Sequence, residues 1–78
     1  MRDIMWNKVM LDEFKELALL TDVEIQILES RIKGWSRTKQ SIEFNMSLST
    51  VDRIYRTVRD KYDQVYKLSN NLPMRKKI

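Results

Sequence analysis

Apolar residues recur along this chain at helical rather than strand spacing. Ile4, Val9, Leu11, Phe14, Leu17 and Ala18 are spaced for one side of a helix and predict a helix over residues 3–19. Met5, Trp6 and Met10 widen its apolar arc beyond one stripe, so the helix is expected to bury two faces. Thr21-Asp22-Val23-Glu24 has the form of a capping box, in which the Thr21 hydroxyl takes a free amide and Glu24 reaches back. It opens a second helix with Ile25, Leu28 and Ile32 on one side and Val23 and Ile27 beside them, and Gly34 ends it. Ser36 caps a short third helix through about Glu43. Phe44-Asn45-Met46 reads as a tight turn in which Asn45 takes the left-handed conformation. Ser47 is the next cap, and nothing breaks the helix from Leu48 until Ser69-Asn70-Asn71-Leu72-Pro73. Val51, Ile54, Tyr55, Val58, Tyr62 and Val65 share its apolar face.

These elements predict an all-α fold, a small bundle of four to five helices containing a helix-turn-helix. Residues 1–19 form an N-terminal helix, residues 20–68 the central unit with its long last helix, and residues 69–78 a loose basic tail with Arg75, Lys76 and Lys77. The chain has 78 residues, with one Gly and one Pro, too few turn residues for an all-β protein. No apolar run approaches the ~20 residues needed to span a bilayer, and no signal-peptide pattern opens the chain.

Composition narrows the chemistry. The chain holds no Cys and no His, which removes disulfides, thiolate and imidazole catalysis and most zinc sites. No paired carboxylates and no glycine-rich phosphate loop are present, so an enzyme is not expected, nor are catalytic residues, a cofactor or a metal. The lack of Cys fits a cytoplasmic protein. Charge is divided unequally. Residues 1–32 carry four Lys/Arg against seven Asp/Glu, net −3, whereas residues 33–78 carry eleven against four, net +7. A half-chain this basic suits a phosphate-backbone binder, and it equally suits a solvated surface.

The order short helix, three-residue turn, Ser-capped helix is the layout of a helix-turn-helix, with small Ser41 at the crossing and Val51 and Ile54 pinning the second helix. Leu20-Thr21-x-x-Glu24-x-x-Ile27-Leu28, Gly34-x-Ser36 and Met46-Ser47-x-x-Thr50-Val51, closing at Lys61-Tyr62, resembles the DNA-binding domain of LuxR-type regulators across 43 residues, 20–62. It is also similar to the fourth region of primary sigma factors. Two positions depart from the LuxR pattern: Gln40 replaces an apolar core residue and Ser41 replaces Ala. Either Gln40 is partly exposed and Ile42 fills the core, or a buried amide finds a partner. The 19 residues before Leu20 are too few for a sensor domain, so the resemblance implies a stand-alone reader of phage, plasmid or minimal bacterial type.

The resemblance implies that the helix from Ser47 lies in the major groove of double-stranded DNA. Periodicity independently turns Ser49, Asp52, Arg53 and Arg56 away from the core. Arg53 suits a bidentate contact to guanine, Asp52 an acceptor for cytosine, and Leu48 a thymine methyl. Ser47, Thr50 and the free amides of the helix start suit a phosphate. Ser36, Arg37 and Lys39 are placed to clamp the flanking backbone, and Arg59, Lys61 and the tail to add sequence-blind affinity. Plainer roles stand beside these. Thr21, Ser36 and Ser47 cap helices with or without DNA; Trp35, Tyr55 and Tyr62 have core spacing; Asp52 and Asp60 can pair with Arg56 and other basic neighbours. The wide arc of Ile4, Met5, Trp6, Val9, Met10, Leu11 and Phe14 leads us to expect a homodimer; its rival is a monomer whose first helix caps the core. Transcription regulation is the expected function. A small terminase-like phage assembly protein and a sigma-like module binding RNA polymerase are the alternatives.

Overall fold

A computed structural model of the chain describes residues 4–75. Four α-helices follow in order, α1 Lys8–Ala18, α2 Asp22–Ile32, α3 Arg37–Glu43 and α4 Leu48–Val65, and a single 3₁₀ turn, Tyr66–Leu68, extends the last. The fold is an all-α bundle in which α4 is the common partner, packing against α1, α2 and α3 in turn. Among the described residues there is no strand, and no helix is long and apolar enough to cross a membrane.

The helix starts follow the polar side chains. Thr21 Oγ1 accepts from the Glu24 amide while Glu24 Oε1 accepts from the Thr21 amide at 2.9 Å, the expected capping box. Ser36 and Ser47 each accept, at 3.1 Å, from the amide three residues on. Gly34 (φ 95°) ends α2, and Asn45 (φ 55°) makes the turn after α3. At the first helix the expectation needs correction. It begins at Lys8, not near residue 3, because the Asn7 side chain accepts from the Met10 amide and stops the helix there. Ile4 and Trp6 precede it on a non-helical segment and still reach the core. Asp3 lies outside the described residues. The helix ends on Leu19, a left-handed residue (φ 51°) with an exposed side chain, where glycine is commoner.

The core is one apolar cluster of Ile4, Met10, Phe14, Leu28, Val58, Tyr62 and Leu72. Phe14 meets the Tyr62 ring edge-on, with centroids 5.2 Å apart, and Trp6 lies 5.7 Å from both. Of the predicted inner face of α4, Val51, Val58 and Tyr62 are fully buried, and Ile54, Tyr55 and Val65 half-buried. Most of the arc that suggested a dimer is used within one chain. Ile4, Met10 and Phe14 are buried and Trp6 and Leu11 pack on them, leaving Met5 and Val9 exposed.

Residues 69–75 are not a loose tail. Leu72 is buried in the cluster, the Tyr62 hydroxyl donates to the Pro73 carbonyl, and Asn71 Nδ2 donates to Glu13 on α1 at 2.8 Å. Arg75 makes a two-pronged bond to Asp63, at 3.0 and 2.7 Å. The segment is a strap across α1 and α4. Lys76 and Lys77 lie outside the described residues.

Candidate nucleic-acid interface

The site is built where α3 and α4 cross. Three residues, Phe44, Asn45 and Met46, join the helices before the Ser47 cap, and the Ser41 hydroxyl donates to the Met46 carbonyl, so the small residue staples the turn shut. Behind α3, Gln40 is completely buried. Its Nε2 donates to the Ile27 carbonyl at 2.9 Å and to Ser30 Oγ at 2.8 Å, and its Oε1 accepts from Arg31 Nε at 3.2 Å. The Ser30 hydroxyl in turn donates to the Ile27 carbonyl at 3.0 Å. Of the two alternatives open at this position, the buried amide with partners is the one found; Ile42 is exposed. A satisfied buried network of this kind fixes orientation, because any slip of α3 strands several polar groups away from water.

A second tie positions α4 from below. Glu24, only 7% exposed, accepts from Lys61 Nζ at 2.8 Å. Burial raises the Glu24 pKa, but the Lys61 hydrogen bond and charge and the Thr21 amide outweigh it, so the carboxyl sits below its ordinary value. Lys61 was expected to contact phosphates; its ammonium is instead spent on this carboxylate.

On the outer side, successive residues step about 100° around α4, which brings Ser49, Arg53 and Arg56 within about 60° of one another, opposite Val51 and Val58. Arg53 and Arg56 are exposed and engage no acidic residue among those described. At the head of the helix the Ser47 hydroxyl touches Ser49 Oγ at 3.1 Å and Thr50 Oγ1 at 2.9 Å, giving an exposed hydroxyl cluster beside half-exposed Leu48.

The remaining expected contacts are arranged differently. Arg37 and Asp52 both lie at this face, but they are bonded to each other, through Nε at 3.0 Å and Nη2 at 2.6 Å. Asp52 therefore pairs with α3 rather than with Arg56, and Asp60 has no ion pair among the described residues. Lys39 holds its ammonium 4.5 Å above the Trp35 ring, and Trp35 is stacked on Phe44, both half-buried and outside the apolar core cluster. Tyr55 is half-buried beneath the Arg31 guanidinium, 4.1 Å from the ring centre. Arg59 does not project freely into solvent: it is half-buried, with Nε enclosed and unbonded. Ser36 serves as the exposed cap of α3.

Periodicity could not reveal the Arg37–Asp52, Gln40–Ser30 and Arg31–Tyr55 relationships, because each joins different elements. Only the polar residue at the apolar Gln40 position signalled one of them. Compared with known protein families, with curated proteins and with solved structures, the chain matches none.

Proposed function

We propose that this protein binds double-stranded DNA through α3, the 44–46 turn and α4, used as a helix-turn-helix, and that it acts in transcription regulation. The observation that carries the reading is the outward face of α4. A helix tied to α2 through Lys61 and Glu24, and packed against an α3 that Gln40 fixes to α2, presents two uncommitted arginines, Arg53 and Arg56, beside a capped, hydroxyl-rich start. Arginine is the side chain best suited to a two-pronged guanine contact, and a helix start suits phosphate. The unequal charge of the two half-chains and the LuxR-like spacing over residues 20–62 support the same reading.

In this arrangement Ser49, Arg53 and Arg56 face base edges, while Ser36, Lys39, Ser47 and Thr50 lie along the backbone. We carry no dimer into the reading, because the apolar arc that argued for one is mostly spent inside the chain. The test is to select bound duplexes from a random pool at stated salt, then to titrate salt on the preferred site. With about five phosphates neutralised, log affinity should fall against log salt with a slope of about −4 to −5. No binding at low salt, or a flat response, refutes it.

A further inference from the structure

An open cleft of about 670 Å³ lies between the N-terminal segment, the end of α2, the 34–36 loop and the middle of α4. Its size falls within the ~300–1,000 Å³ usual for small-molecule sites. Trp6, Trp35 and Tyr55 line it, with Ile32 as an apolar surface and Arg31 and Arg37 as its charges; no acidic side chain among the described residues lines it.

The two arginines differ. Arg37 is satisfied by Asp52. Arg31 is half-buried and held in one orientation, its Nε on Gln40 and its guanidinium over Tyr55, yet neither terminal nitrogen bonds to any described residue. A partly desolvated guanidinium gains most from an anionic acceptor, and its planar fork matches a carboxylate or phosphate. Aromatic walls around such a fork suit a flat ring carrying the anion.

We propose that this cleft binds a small planar aromatic anion, its carboxylate or phosphate on Arg31 and its ring among Trp6, Trp35 and Tyr55. The site does not depend on the DNA reading, and a titration without DNA keeps the two apart. Trp6 and Trp35 are the chain's two tryptophans and both line the cleft, so their indole N–H resonances report occupancy directly.

The full chain is titrated with benzoate, with phenyl phosphate, and with benzyl alcohol as the uncharged control, at constant ionic strength. Saturable shifts of both indole signals are expected with at least one anion, and binding of benzyl alcohol at least about tenfold weaker, the loss expected when a charge-assisted bond is removed. The preferred anion shows whether the source is a carboxylate or a phosphate. R31K keeps the charge and loses the fork, and should weaken that anion several-fold. No saturable shift with either anion, or equal binding of benzyl alcohol, overturns the proposal, and does so on the unmodified protein should R31K not fold. Unchanged binding to folded R31K overturns Arg31 as the anchor.

Discussion

Arg37 and Asp52 meet across the α3–α4 crossing in a parallel two-pronged ion pair, fifteen residues apart in the chain. Both side chains are substantially exposed, at 52% and 38%, so the pair adds little to stability. On the proposed DNA-binding reading, its effect would fall on DNA binding instead. The Asp52 carboxylate occupies the Arg37 fork, and a DNA phosphate would have to compete with it. D52N should therefore raise affinity for random-sequence DNA and steepen the salt slope by about 0.9, one additional phosphate neutralised. Adding R37A should cancel the gain. An unchanged slope in D52N means that Arg37 does not contact the backbone.

Arg53 is exposed and unpaired on the outward face of α4. R53A should cost about 1–3 kcal/mol on the selected site and relax preference at one base pair. Urea unfolding should move by less than about 0.5 kcal/mol, as for an ordinary surface substitution. Equal losses on selected and random duplexes would show that Arg53 reads no base.

Glu24 gives the fold an acid-sensitive tie. Its carboxyl titrates below the ordinary value of 4.5, so it binds fewer protons folded than unfolded as pH falls. The stabilisation it contributes is complete above the unfolded-state pKa and is lost as pH drops through the lower folded-state value. Urea unfolding of the native chain measured at stepped pH should lose stability below about 4.5 more steeply than E24Q does. Parallel curves for the two proteins would remove Glu24 from the acid response.

Leu72 is 5% exposed and shares the cluster with Phe14 and Tyr62. L72A should destabilise the protein by about 2–4 kcal/mol, a large part of what a chain this small has to lose. A tail that only attracted phosphates would show no loss in urea unfolding.

What could be read from the residues in order was local. Thr21, Ser36 and Ser47 announce helix starts because each needs only the amide three residues on, and Gly34 and Asn45 announce left-handed turns by their own backbone preference. The start of α1 escaped because apolar spacing runs unbroken through Asn7, whose capping role competes with that pattern. The strap escaped because Leu72 and Arg75 acquire partners only once α1 and α4 are side by side. At the site, the outward direction of Arg53 and Arg56 followed from helical geometry alone. The commitment of Arg37, Asp52 and Lys61 did not, since each partner lies 15 or 37 residues away.

Gln40 also governs how this protein opens. With seven residues, α3 is far too short to persist as an isolated helix. It cannot fray gradually either, because lifting Gln40 uncovers the Ile27 carbonyl, Ser30 Oγ and Arg31 Nε together. Opening of α3 is thereby made cooperative with disruption of α2, so amide hydrogens of the two helices should exchange as one unit. On the proposed DNA-binding reading, α3 would then be held in place before association, and little entropy of ordering it would be left to lose.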